Sequence, residues 1–464
     1  MRVLGRKLVL LLSIPFATLA TSATADDPSP TLYVYVTRAK PVVLRDGGFG
    51  PIAALQLRMK ELLRPIDPGI SDALIADGQF GPKSGHALQR LLATAEYSAF
   101  APRKGQPLRI SEALWRKLMP GVAPPSREER SMTLILTYEA TEFNKIASWN
   151  FCQNPKLGTD GKKVTRRPEC RTNDDSLLTW GPRGATMMGG SEIQAVIIEL
   201  RQRAPHLLHS AFGVEYAALD RSLALSKSPS IEPEKGKVRT LANVSDLELY
   251  MCSIWLDPAR ASTWSQAFAQ LGSSAMVRSV YNEIYASAGF DGSKVRGFYT
   301  LYEKLGVAPS EIDHAFFLDR ATHTSGVTSD ISGVSANSVG AALRRAEQIM
   351  AKLGSPPYAN WQVRQAISQI LIPTRQRADR NGRDVAFFVD ALGEDGLTAT
   401  ERANWRERFA LSASMFGLSD DRPMPRSFVP DPTSWKTRLV PSQSLTPDER
   451  QTLCPQWVIE RTVI

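Results

Sequence analysis

Apolar residues recur at intervals of three and four over most of the chain beyond residue 131. This spacing places them on one face of an α-helix, whereas a strand would alternate apolar and polar residues. Alternating runs are few, so the pattern predicts a mainly α protein. The helical pattern covers residues 132–148, 191–203, 213–225, 243–272, 274–288, 294–305, 310–322, 337–353, 359–378, 384–393 and 398–416.

Two shorter helical patterns lie between residues 51 and 95, on either side of a turn at 77–84. The Asp-Gly pair in this turn is typical of tight turns, and Gly81-Pro82 favours the start of a helix. Ahead of both patterns, residues 32–36 are rich in strand-forming side chains. They predict one strand within a leader that spans residues 26–50.

The turn resembles the hallmark of the small peptidoglycan-binding domain, D-G-x-F-G-x-x-T. Asp77, Gly78, Phe80 and Gly81 match this run, and Ser84 stands where the family usually has Thr. The resemblance implies a three-helix wall-binding domain over residues 51–100 that tethers the protein to its substrate. It also implies that Asp77 and Phe80 contact the ligand. The usual closing Phe-Gln is replaced here by two leucines, which puts the sugar-contacting face in doubt.

Residues 101–130 are rich in proline and charge, and they predict a linker. A long helical region follows it. We divide this region into a catalytic domain at 131–334 and a helical C-terminal extension at 335–464, which ends in a Pro-rich tail.

The N-terminus has the order of a secretory signal peptide. Arg2, Arg6 and Lys7 precede an apolar stretch at 8–19, and Ala23-Thr24-Ala25 is a cleavage site of small residues. The stretch is shorter than the ~20 residues of a spanning helix. We therefore expect cleavage after Ala25, a periplasmic or secreted protein, and no transmembrane anchor in the mature chain.

Charge and cysteine content agree with export. The net charge of +9 becomes +6 when the three signal cations are removed (9 minus 3). Outside the cytoplasm a basic surface suits anionic cell wall or lipid headgroups rather than nucleic acid. An even cysteine count predicts disulfides, with Cys152 paired to Cys170 and Cys252 to Cys454. The scattered histidines and the lack of a CxxC pair predict no metal and no cofactor.

The chemistry-bearing residues cluster between 137 and 190. Glu139 directly follows an apolar run, so we expect it to be partly buried, which raises the pKa of a carboxyl group as a general acid requires. A loop dense in glycine and proline follows. It carries Asp174, Asp175, Thr179, Trp180 and Arg183.

This order of residues resembles the lysozyme-like glycoside hydrolases, especially their chitosanase and phage-lysozyme branches. There a helical Glu is followed by a Gly-rich hairpin of pattern D-x-x-x-x-T-x-G, which Asp174, Thr179 and Gly181 match. The resemblance implies that Glu139 is the general acid, that Asp174 activates water, and that Thr179 positions that water. It implies a lysozyme-like helical domain with a short β-hairpin.

Two departures from the family pattern leave the identity of the second carboxylate undecided. Glu139 and Asp174 are 35 residues apart (174 minus 139), about twice the family spacing, and the family glycines after Asp are absent. Asp175 is therefore an alternative to Asp174. Trp180 is a candidate for stacking on a sugar, and Arg183 for binding an acidic group of the substrate.

The function expected from the sequence is cleavage of β-1,4 linkages in an amino-sugar polymer by a pair of carboxylates. Peptidoglycan is the favoured polymer, because the chain is basic and chitosan is itself cationic. A chitosanase is the variant within this class. The alternative from another class is a non-catalytic, peptidoglycan-binding envelope scaffold.

Overall fold

Proline and small polar residues set where many of the helices begin. In a computed structural model of the protein, six helices start with Pro in their first turn, where its missing N–H costs nothing. The side chains of Ser111, Ser245 and Thr398 accept N–H bonds as helix N-caps. The structure describes residues 29–36, 42–139, 142–150, 176–188, 191–229, 244–286, 291–323, 339–371, 382–424 and 441–454.

The protein is mainly helical, as the apolar spacing predicts. Its first fifteen helices are α1 (Pro51–Leu63), α2 (Pro68–Ala73), α3 (Pro82–Leu92), α4 (Glu112–Leu118), α5 (Arg127–Glu139), α6 (Glu192–Arg203), α7 (Pro205–Phe212), α8 (Tyr216–Ala224), α9 (Asp246–Leu256), α10 (Pro258–Gly272), α11 (Ala275–Ala286), α12 (Asp291–Lys304), α13 (Glu311–His323), α14 (Val339–Leu353) and α15 (Asn360–Leu371). Beyond residue 371, the described part of the chain contains short α-helices at Val389–Leu392, Ala399–Glu407 and Pro447–Thr452.

Among the described residues, the strands are short and form three antiparallel sheets. They are β1 (Thr31–Tyr35), β2 (Leu44–Arg45), β3 (Gln79–Phe80), β4 (Leu108–Ser111), β5 (Ser148–Asn150), β6 (Leu177–Trp180) and β7 (Ala185–Thr186). β1 pairs with β4, β2 pairs with β3, and β5, β6 and β7 form a three-stranded sheet with β6 in the middle.

The stretch expected to be a linker is structured. Within residues 101–130, β4 pairs with β1 and α4 follows directly, with the Trp115 side chain fully buried. The prolines and charges of this stretch flank an apolar segment, Leu108, Ile110, Leu114 and Trp115, which joins the N-terminal core. The linker interpretation therefore does not hold for residues 108–118.

Two large hydrophobic cores organise the chain. The first core is formed by buried side chains of β1–β4, α1–α5 and α12–α15, together with later residues as far as Leu418. The second runs from Phe143 to Tyr285 and includes Leu445 and Cys454. The segment 131–334, which the sequence groups as one domain, thus contributes to both cores.

A disulfide between Cys252 on α9 and Cys454 fastens the last described residues to the second core. Cys152 and Cys170, the other predicted pair, lie outside the described residues. Among the helices of the described ranges, none combines the length and apolar character that a membrane span requires.

Candidate functional site

Glu139 lies between the two cores. It is the last residue of α5, after Tyr138 in the first core and shortly before Phe143 in the second. Its half-buried carboxylate pairs with the guanidinium of Arg383, with 2.7 Å between Oε1 and Nη1.

Arg383 is itself held from two other sides. The buried carboxylate of Asp319, on α13, accepts a hydrogen bond from Arg383 Nη2, and the Tyr138 ring lies 4.9 Å from the guanidinium carbon. Burial lowers the pKa of Arg383, but the carboxylates of Asp319 and Glu139 outweigh it and leave that pKa raised. The guanidinium is therefore permanently charged.

This arrangement corrects the apolar surroundings expected for Glu139. Leu134 and Ile135 are indeed buried, but the carboxylate of Glu139 is paired with the Arg383 guanidinium. A guanidinium at ion-pair distance favours the ionised carboxylate. Glu139 thus lies in a charged environment rather than the apolar one that the sequence predicts.

Thr179 lies on the central strand of the sheet that follows α5 along the chain. In the β5–β6–β7 register it pairs with Ser148 on one side and Thr186 on the other. Its hydroxyl donates a 3.0 Å hydrogen bond to Ser176 Oγ. Asp174 and Asp175, the two candidates for the second carboxylate, lie outside the described residues.

Trp180 and Arg183 are buried, contrary to the roles expected for them in binding substrate. The Trp180 indole donates a 3.1 Å hydrogen bond to the Phe143 carbonyl and packs in the second core. The Arg183 guanidinium lies over the Tyr285 ring at 4.1 Å. At Gly181, φ is +79° and a Cβ would lie 2.8 Å from the Tyr281 ring, so this turn is a packed structural element.

Glu142 is the second carboxylate near the end of α5. It is half-buried, and its Oε1 accepts a 2.7 Å hydrogen bond from Gln79 Nε2. Lys145 and Arg45 lie 3.5 and 3.7 Å from the same oxygen. Glu142 therefore joins the N-terminal residues to the segment that leads into β5.

Asp77 and Phe80 maintain the turn before α3. Phe80 is fully buried, with its ring 5.3 Å from that of Tyr35. Asp77 Oδ1 accepts hydrogen bonds from the Gln79 N–H at 2.9 Å and from Gln56 Nε2 at 3.2 Å. Phe80 is thus a core residue rather than a ligand contact, and Asp77 is a turn residue.

The sequence carries a second copy of this turn that pattern analysis missed. Residues 46–51 read Asp-Gly-Gly-Phe-Gly-Pro and residues 77–82 read Asp-Gly-Gln-Phe-Gly-Pro, identical at five of six positions. Each copy leads into a helix, with an extended glycine as N-cap and Pro at the first helical position. Unlike its counterpart Phe80, Phe49 of the first copy is 41% exposed. Comparing the two segments letter by letter would have found it.

Within the described ranges, no group of three or more His, Cys, Asp or Glu side chains is arranged to hold a metal ion. Comparisons of the chain with protein-family models, with curated proteins and with solved structures found no match.

Proposed function

We propose that this protein is an exported glycoside hydrolase that cleaves β-1,4 linkages of an amino-sugar polymer, with peptidoglycan as the substrate. One observation carries the proposal. A carboxylate at the end of a helix, Glu139, lies between two cores and is followed by an antiparallel sheet that presents Thr179. This is the order of elements that the lysozyme-like resemblance implies.

The reaction needs a second carboxylate on the far side of the scissile bond. Asp174 or Asp175 takes that role, and the Thr179 hydroxyl positions the attacking water. Glu139 delivers a proton to the leaving oxygen. Glu139 then regains a proton from solvent before the next turnover.

A second candidate is a non-catalytic scaffold that binds peptidoglycan. The ion pair between Glu139 and Arg383 favours it, because a carboxylate held in this way also serves as a structural link between α5 and residue 383. The burial of Trp180 and Arg183 favours it too, since neither side chain is exposed to a sugar.

Isolated peptidoglycan incubated with the mature protein distinguishes the two functions. The hydrolase proposal expects soluble fragments whose masses show cleavage between the sugars, and no fragments from the Glu139→Gln variant. The scaffold alternative expects the protein to sediment with peptidoglycan and release nothing. Chitosan as a parallel substrate tests the chitosanase variant, and the basic chain is expected to prefer the anionic polymer.

A further inference from the structure

The exposed ring of Phe49 belongs to a turn whose twin buries its phenylalanine. We name residues 46–50 the first turn and residues 77–81 the second turn. A single exposed apolar side chain is ordinary on protein surfaces and needs no explanation. Here, however, the same five-residue pattern places one ring at 0% exposure and the other at 41%, so the difference arises from what surrounds the first turn.

The backbone of the first turn is fixed against both cores. The Phe143 N–H donates a 3.1 Å hydrogen bond to the Gly47 carbonyl. The buried Asp46 carboxylate accepts bonds from the N–H groups of Gly48 and Ala53, at 3.0 and 2.9 Å. Burial raises the pKa of Asp46, and these donors oppose that rise. The position of the Phe49 ring is therefore set by its anchored backbone.

A charged group from the second core covers one face of this ring. The Arg278 guanidinium, on α11, lies 4.0 Å from the centre of the Phe49 ring. It is fixed in turn by hydrogen bonds from Nη1 to the carbonyls of Gly272 and Ser273, at 3.2 and 2.9 Å. The Phe49–Arg278 pair thus spans the junction between the two cores and leaves part of the ring exposed.

An exposed polar side chain lies beside the same turn. Asn144 is exposed, and its Oδ1 lies 3.7 Å from the position of a Cβ added to Gly48. The junction therefore presents an apolar ring, a guanidinium and an amide close to one turn. An aromatic surface with a small number of fixed polar groups is the usual composition of a small-ligand site.

We propose that Phe49, Arg278 and Asn144 form a subsite for one sugar of an anionic amino-sugar polymer. The C–H face of the sugar packs on the open part of the Phe49 ring, its carboxylate faces Arg278, and its N-acetyl or hydroxyl groups bond to Asn144. This inference rests on the substrate class of the proposed function. It makes the N-terminal residues part of the binding surface rather than a distant tether.

Co-sedimentation of the full mature protein with isolated peptidoglycan tests the subsite. Phe49→Ala should weaken binding roughly tenfold, the equivalent of about 1.4 kcal/mol for a lost aromatic contact. Phe49→Trp should retain the affinity, and Asn144→Ala should weaken it. Leu57→Ala is the matched control, because Leu57 is an apolar residue of α1 that is 53% exposed, and its binding should equal that of the wild type.

Each outcome separates this inference from the hydrolase proposal. Equal binding by the wild type and Phe49→Ala, or no binding by the wild type, overturns the subsite. Binding that depends on Phe49 without any release of fragments upholds the subsite and overturns the hydrolase. Cleavage by Phe49→Ala with unchanged KM upholds the hydrolase and overturns the subsite. Equal melting temperatures of the variants establish that they are folded.

Discussion

The side-chain amide of Gln79 donates a 2.7 Å hydrogen bond to the carboxylate of Glu142, and so connects the second turn to the segment between α5 and β5. A second bond runs from the Arg45 N–H to Thr137 Oγ1 on α5, at 3.1 Å. The N-terminal residues and α5 share one hydrophobic core. A detachable tethering module, which the resemblance to a wall-binding domain implies, would have neither feature.

Deletion of residues 26–100 should therefore leave a protein that does not fold. Leu134 and Ile135 on α5 are fully buried in the core that the deletion would open, and exposing such side chains costs about 1.5–3 kcal/mol each. Far-UV circular dichroism and soluble yield measure the effect. A soluble 101–464 fragment with cooperative unfolding would contradict this prediction, and full-length Gln79→Ala, which should stay folded, is the control.

Glu139→Gln should reduce turnover of peptidoglycan by about 10²–10⁴-fold, the usual contribution of a proton-transferring group. The amide preserves the shape of the side chain but cannot deliver a proton. Glu142→Gln is the matched control, because Glu142 lies three residues on and its carboxylate is bonded to Gln79 rather than to Arg383. Release of reducing ends measures the turnover of both variants. A loss of turnover in Glu142→Gln but not in Glu139→Gln would identify Glu142 as the general acid.

Helix positions were largely predictable from apolar spacing. The pattern at 310–322 corresponds to α13 (Glu311–His323), and that at 274–288 corresponds to α11 (Ala275–Ala286). One predicted helix is divided into two by a capping residue and a proline, which apolar spacing does not take into account. Residues 243–272 form two helices, because Asp257 caps a new helix that begins at Pro258.

Contacts between distant residues could not be predicted in this way. Glu139 and Arg383 are 244 residues apart (383 minus 139), and periodicity says nothing about which charge faces which. For the same reason, the pairing of β1 with β4 could not be predicted. The proline and charge of residues 101–130 therefore predicted a linker there. The candidate carboxylate and the mainly α class could be predicted from the sequence, whereas the pairing of Glu139 with Arg383 follows only from the packing of the fold.

Arg383→Met should destabilise the fold by about 3–5 kcal/mol, since it leaves the fully buried Asp319 carboxylate without this guanidinium. Arg406→Met is the control, because Arg406 pairs with Glu394 at the exposed surface and such pairs contribute about 0–1 kcal/mol. Urea denaturation measures both. Equal midpoints for the two variants would show that the Asp319–Arg383 pair does not stabilise the fold.

Reduction of the Cys252–Cys454 disulfide should lower the free energy of unfolding by about 2–5 kcal/mol. The bond joins residues 202 apart and so closes a long loop in the unfolded chain. The Cys252→Ser, Cys454→Ser double variant, melted without reductant, should show this loss relative to the wild type. Mass mapping without reductant tests both pairs, and free thiols at Cys152 and Cys170 would overturn the other predicted bond.

His314, on α13, should make the fold sensitive to acid. Its Nδ1 lies 2.9 Å from the Tyr299 hydroxyl, and burial lowers the pKa of the imidazole from 6.5 to about 4. Glu128 nearby raises that pKa, and Arg127 lowers it further. Between pH 6.5 and about 4 the unfolded chain therefore binds a proton at this histidine that the folded chain does not.

The contribution of His314 to stability is therefore complete above pH 6.5 and is lost as the pH falls towards 4, by about 3 kcal/mol in total. His314→Gln removes the titrating group and keeps an acceptor for Tyr299, so its urea midpoint should fall less between pH 7 and pH 4.5 than that of the wild type. His206→Gln is the control, because His206 is exposed, and it should follow the wild type. If His314→Gln loses as much stability as the wild type over this range, the acid sensitivity arises from other groups.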